Sequence, residues 1–251
     1  MARSIRMPHR TRPHWKNLRP LRPVGAGPAI VCVHGDEANE LLPKHLDHGR
    51  PFYAFIHQGK DRKKLHLQQV EDIAAHYLQE LLAARPHGEY VLCGYSFGGI
   101  IAYEMAQQLR SQGRDVPQLI LIDAYAPDLH VQALDSDHNW LSNLKHGILM
   151  KVSKPFIRLD RPMPANLHHH HIIGTYDKAI RSYKPRPYDG QVMILKAKDA
   201  WGPDDLGWTM LSRQLLDIHR VPGDHYSVIK EPHVAELAAQ IEERLSRIAT
   251  A

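Results

Sequence analysis

The chain has 251 residues, 43% of them hydrophobic, with aliphatic runs spread along its length, enough for one large domain and little room for a second. No stretch approaches the ~18 uninterrupted apolar residues of a membrane helix and the start lacks the apolar segment of a secretory signal, so no membrane span and a cytoplasmic location are expected. The formal charge is +5, yet Met1 to Gly35 carries seven Lys or Arg and no acid, which leaves about −2 for the remainder and points to a basic tail rather than a nucleic-acid-binding domain.

In chain order, residues 1–24 form that tail. Pro8, Pro13, Pro20 and Pro23 argue for an extended or disordered leader, and the folded domain is expected over 25–251. Short apolar runs then alternate with amphipathic helices, the pattern of an α/β fold with a mostly parallel sheet covered on both faces. Ala29–His34 and Phe52–His57 read as strands, and Val70–Ala84 reads as a helix with Ile73, Tyr77, Leu78 and Leu81 on one side. Tyr90–Gly94 is a strand, Gly99–Gln112 a helix and Leu119–Asp123 the next strand. Val192–Lys196 and Leu215–Val221 follow as strands, and a helix over about 232–248 closes the domain. Cys32 and Cys93 each lie inside an apolar run and read as inert core thiols.

Between Asp128 and about Ile173 the rhythm fails: helical spacing is weak, prolines recur and no strand is evident. A segment this long between two strands suits a lid, with Trp140, Leu144 and Ile148 among the apolar residues that would line a pocket or form a satellite core. Its run His168–His171 invites a metal reading. Only His168 and His171 share a helix face and no acid or cysteine stands at ligand spacing, so no metal is expected.

Chemistry concentrates at Gly94-Tyr95-Ser96-Phe97-Gly98. A Gly-x-Ser-x-Gly between an apolar strand and a helix is what a nucleophile elbow requires, because strand and helix meet closely there and the serine must stand clear of its own backbone. A serine hydroxyl at neutral pH needs a base to take its proton and an acid to orient the base. In this architecture the order is Ser, acid, His, which removes every histidine before Ser96. His225, on the Pro222–Gly223 loop after the last strand, is the expected base, ahead of His219, His233, His130, His138 and His146. Position leaves Asp123 and Asp199 equally placed as the acid, each at the carboxyl end of a strand, with Asp128 and Asp224 weaker.

GYSFGGIIAYEMAQQL, LILIDAYAP and VPGDHYSVIKEPHVAELA together resemble the thioesterase domains that end polyketide and nonribosomal peptide assembly lines, members of the α/β-hydrolase superfamily. The resemblance runs from about Leu18 to Leu245. It implies that Asp123 is the acid, and that an acyl, polyketide or peptidyl chain is released from a phosphopantetheine thioester by hydrolysis or cyclisation through an acyl-Ser96 intermediate. The implied partner is an acyl or peptidyl carrier protein, or coenzyme A, with no cofactor of the enzyme's own.

One departure stands out. Such thioesterases commonly follow the first parallel strand with His-Pro and small residues, whereas this chain has His34-Gly35-Asp36-Glu37-Ala38. The backbone N–H of Phe97 and of Asp36 or Glu37 are expected to form the oxyanion hole. A carboxylate aimed into it would repel the developing charge, one turned away would not, and an acid there could also recognise a cationic group on substrate or acceptor. Two other readings share the motifs: a carboxylesterase or lipase using the same triad, and a noncatalytic hydrolase fold serving as a binding module.

Overall fold

A computed structural model of the protein describes residues 15–136 and 140–248. Its centre is a seven-stranded sheet of β1 (Leu18–Arg22), β2 (Ala29–Val33), β3 (Phe52–Phe55), β4 (Tyr90–Tyr95), β5 (Gln118–Ile122), β6 (Val192–Ala197) and β7 (Asp217–Val221). The strand order is β1-β3-β2-β4-β5-β6-β7, parallel throughout except for β1, which runs antiparallel to β3. The expected mostly parallel sheet is therefore present. The strands β2 to β6 are buried on both faces, which is why they read as continuous apolar runs.

Each face has its own core. Ala29, Val31 and Val33 of β2 pack toward α2 (Val70–Ala84) and α3 (Phe97–Ser111), while Ile30 and Cys32 pack toward α1 (Asp36–His45) and α7 (His233–Ile248). Cys32 and Cys93 are partners in the β2–β4 register, buried and free. The order reverses at β2, whose neighbours are β3 and β4, so a crevice opens beyond the carboxyl ends of β2 and β4.

Two elements depart from the sequence expectation. The tail does not run unstructured to residue 24, because Leu18–Arg22 forms the edge strand β1; the residues before Trp15 lie outside the described set. Pro20 is tolerated because the strand has a neighbour on one side only. What fixes β1 is the buried Glu80 carboxylate of α2, which accepts the backbone N–H groups of Lys16 (2.7 Å), Asn17 (3.0 Å) and Leu18 (2.7 Å). The second departure is α1, formed by DEANELLPKH, whose polar sequence and internal Pro43 hide a helix that among its described side chains buries only Ala38, Asn39 and Leu42.

The insertion is helical as expected but longer. It comprises α4 (Pro127–Ser136), α5 (Trp140–Arg158) and α6 (Ala165–Ser182), so it continues past residue 173. The side chains of Trp140 and Leu144 lie outside the described residues, and Ile148 is 52% exposed rather than lining a closed pocket. The insertion is tied to the segment after β3: Met163 N–H donates to the Arg62 carbonyl (2.8 Å) and Lys63 pairs with Asp160 (2.8 Å). Among the described residues no helix is long and apolar enough to cross a membrane.

Removing the Glu80 carboxylate strands three backbone donors. Glu80→Ala is expected to destabilise the fold by about 2 kcal/mol in urea unfolding and to expose the amide of Leu18 to rapid hydrogen exchange. Unchanged protection of Leu18 would show that β1 is held by its pairing with β3 alone.

Candidate active site

The Gly-x-Ser-x-Gly segment turns directly from β4 into α3. A Cβ on Gly94 would lie 2.3 Å from the Gly98 carbonyl oxygen, and one on Gly98 would lie 2.1 Å from the carbonyl oxygen of Val33 at the end of β2. Both contacts are impossible for any side chain, so the two glycines let strand and helix touch. Ser96 between them is held at φ 53° and ψ −126°, outside the usual regions, at a cost of about 1–3 kcal/mol. Its backbone is pinned on both sides, the N–H donating to the Ile122 carbonyl (3.0 Å) and the carbonyl accepting from Gly99 N–H (2.9 Å).

Ser96 Oγ lies 3.1 Å from His225 Nε2, and His225 Nδ1 lies 2.7 Å from Asp123 Oδ2. An ionised carboxylate only accepts, so Nδ1–H donates to Asp123 and Nε2 is left to accept the serine proton. Asp123 is fully buried at the end of β5, and its second oxygen accepts Ala197 N–H at 3.0 Å. Two donors, one of them the imidazole, offset the desolvation of that charge. Asp199 is exposed, its backbone N–H bonded to the Gly223 carbonyl (3.1 Å), and Asp128 is exposed on α4. Asp224 shapes the histidine loop: its Oδ1 accepts the N–H of Tyr226 and Ser227 and the Ser227 hydroxyl, bonds led by Ser227 that hold its carboxyl below the usual range.

Facing the elbow is the amino end of α1. Its first intrahelical bond runs from Asn39 N–H to the Gly35 carbonyl (2.8 Å), so the N–H groups of Asp36, Glu37 and Ala38 precede it. The N–H of Phe97 likewise opens α3. The Asp36 carboxylate forms an ion pair with Lys60, both side chains about half exposed. Lys60 is thus the cation that Asp36 meets within this chain; the side chain of Glu37 lies outside the described residues.

Aromatic side chains with no such role legible in the sequence wall this crevice. Phe97 stacks on Tyr176 of α6 with ring centroids 4.2 Å apart, and His34 stacks on Tyr176 at 5.9 Å. Tyr77 gives its one hydroxyl proton to the Ile56 carbonyl (3.2 Å), leaving its oxygen to accept His34 Nε2–H (2.9 Å). Burial, with His57 adding repulsion, pushes the His34 imidazole down to about 3. His168 and His171, two of the four consecutive histidines, are also buried and shifted below the usual histidine range, chiefly by burial. Among the described residues no group of three His, Cys, Asp or Glu could hold a metal. The pairings among these wall residues carry no sequence signal, since each joins partners tens of residues apart.

These buried neutral imidazoles make the fold acid-sensitive. Between about pH 3 and 6.5 the unfolded chain takes up a proton at residue 34 that the folded chain refuses, so stability rises with pH across that window and falls as pH drops through it. His34→Asn, which keeps a residue tolerant of the φ of 61° there, is expected to be less stable at neutral pH but to lose less between pH 7.5 and 5. Urea unfolding at both pH values checks this, and an undiminished acid loss would assign the effect to His168 and His171.

The sequence model of the Thioesterase domain family matches residues 40–245. Malpibaldin synthetase of Mortierella alpina is 24% identical over 91% of this chain, and an inactive atromentin synthetase of Paxillus involutus is 27% identical over 90% of it. The chain spans only 4% and 28% of those synthetases. Among solved structures, the NocB thioesterase domain in covalent complex with a fluorophosphonate nocardicin G analogue shares the fold with a TM-score of 0.69 at 23% identity, over 91% of this chain and 99% of that one. The α/β-hydrolase architecture and a family match over most of the sequence agree: this chain belongs to the thioesterase domain family.

Proposed function

We propose that the protein releases an acyl, polyketide or peptidyl chain from the phosphopantetheine thioester of an acyl or peptidyl carrier protein, in the cytoplasm, through an acyl-Ser96 intermediate. The observation that carries this reading is the unbroken line from Ser96 Oγ through His225 to buried Asp123 at a strand-to-helix turn. Ser96 Oγ attacks the thioester carbonyl carbon as His225 Nε2 takes its proton, and Asp123 holds the imidazole in the required tautomer and stabilises the imidazolium. The carbonyl oxygen becomes an oxyanion, which accepts hydrogen bonds from the N–H groups of Phe97 and of Asp36 or Glu37, a role supported by their position at two helix starts. The C–S bond then breaks, the thiol leaves with the proton from His225, and the acyl ester remains on Ser96. Water, or a hydroxyl or amine of the chain itself, attacks that ester while His225 accepts its proton, and the proton returns to Ser96 as the product departs. Beyond the phosphopantetheine arm of the substrate, this reaction calls on no cofactor.

The test is incubation of wild type and Ser96→Ala with an octanoyl thioester of a short pantetheine mimic, following free thiol and intact protein mass. Wild type is expected to release thiol and carry a transient acyl adduct, and Ser96→Ala to lose at least about a thousandfold in turnover and show no adduct. The matching oxygen ester is expected to react more slowly, since its leaving group is poorer. An ester turned over faster than the thioester would favour a carboxylesterase. Absence of thiol release, adduct and fluorophosphonate labelling across several acyl lengths would favour a noncatalytic binding role.

A further inference from the structure

The residue before the nucleophile is placed to do more than fill a variable position. Tyr95 is half-buried, and its ring stacks on the imidazole of His225 with centroids 5.1 Å apart and planes 25° from parallel. Its hydroxyl donates to the backbone carbonyl of the same His225 at 2.5 Å. On its other side it meets the oxyanion loop: a Cβ on Gly35 would lie 3.1 Å from Tyr95 Cδ1 and 3.4 Å from Tyr95 Cβ. One side chain therefore contacts the histidine ring, the histidine backbone and the cap of α1, and is covalently next to Ser96.

These contacts join parts of the chain that lie far apart in sequence. His225 stands on the loop after β7, two strands beyond β5, and Gly35 follows β2 on the opposite side of β4. We infer that Tyr95 is the positioning residue that aligns His225 and the amino end of α1 with Ser96, an inference that rests on the function proposed above. Its two interactions with His225 do different things. The hydroxyl-to-carbonyl bond fixes the loop, and the ring face limits rotation of the imidazole while favouring the cation that forms as the serine proton is taken. A contact that strengthens as imidazolium develops acts on the transition state more than on substrate binding. The other groups facing His225 are Asp123, Ser96 and Tyr226, whose ring meets it edge-on at 5.4 Å, together with the Asp224 carboxylate next in chain.

Two variants separate the roles. Tyr95→Phe keeps the ring and removes the hydroxyl; Tyr95→Leu keeps apolar cover and removes both. With the octanoyl thioester, Tyr95→Phe is expected to lower kcat about threefold to tenfold with KM within twofold and the acid limb of the pH profile in place. Tyr95→Leu is expected to lower kcat further and to move the acid limb about half a pH unit lower, as the cation loses its π-face. A loss of activity that follows folded fraction or appears only in KM, with the acid limb unmoved in Tyr95→Leu, overturns the inference. A measurement independent of turnover keeps the test separate from the proposed function: the low-field proton resonance of the His225 Nδ1–H bonded to Asp123. Its retention in Tyr95→Phe and broadening or loss in Tyr95→Leu supports the positioning role even if no thioester is cleaved, and an unchanged signal in Tyr95→Leu refutes it.

Discussion

Three backbones meet at one point in this protein, and the candidate site is organised around that meeting. The start of α3 lies against the carbonyl that ends β2, and Gly94 of β4 lies against the carbonyl of Gly98, at separations that admit no Cβ. Such contact forces the chain at Ser96 through a sharp turn and into an unusual conformation. Its strain is offset by the Ile122 and Gly99 bonds and by the cores on both sheet faces. Because β2 is also where the strand order reverses, the same contact places two helix starts, α1 and α3, beside one hydroxyl. The serine's exposure and the free N–H groups around it are thus consequences of one packing constraint.

The histidine arrives by a different route. The loop after β7 is irregular, and its shape comes from the Asp224 carboxylate accepting bonds from Tyr226 and Ser227 and from the Tyr95 hydroxyl holding the His225 carbonyl. Asp123 completes the line at no exposure, so its charge depends on His225 and Ala197 for compensation. A buried carboxylate with two donors is costly to leave half-satisfied, which couples the orientation of the imidazole to the β5–β6 pairing.

How much of this the sequence discloses depends on whether a residue's partner is near or far in the chain. The strands β2 to β6, the helices α2, α3 and α7 and the turn at Ser96 are legible because apolar runs, helical spacing and paired glycines are local patterns. Strand β1 is hidden because Glu80, more than sixty residues on, supplies the acceptor for its first amides. Helix α1 is hidden because its residues are mostly polar and carry Pro43. The choice between Asp123 and Asp199 could not be made from position, since each ends a strand; what distinguishes them spatially is that β5 pairs directly with the strand bearing Ser96 and β6 does not. The walls formed by His34, Tyr77, Phe97 and Tyr176 join β2, α2, α3 and α6, a juxtaposition with no short-range trace.

The acidic loop after β2 bears on whether this fold can support an oxyanion at all, a point sharpened by an inactive synthetase among the chain's relatives. A carboxylate at the first residue of α1 has two options. Aimed at Ser96, it would compete with the developing charge for the same N–H groups; turned outward, it leaves them free while still favouring the helix dipole. Asp36 takes the outward course and is paired with Lys60, so its carboxylate does not stand as a free anion at the helix start. Lys60 in turn follows β3, the strand on the other side of β2, so the sheet order itself brings the cation to the acid. The Asp36 part of the departure from the usual His-Pro loop is therefore compensated within the fold, and its carboxylate gives no electrostatic reason for the site to be silent.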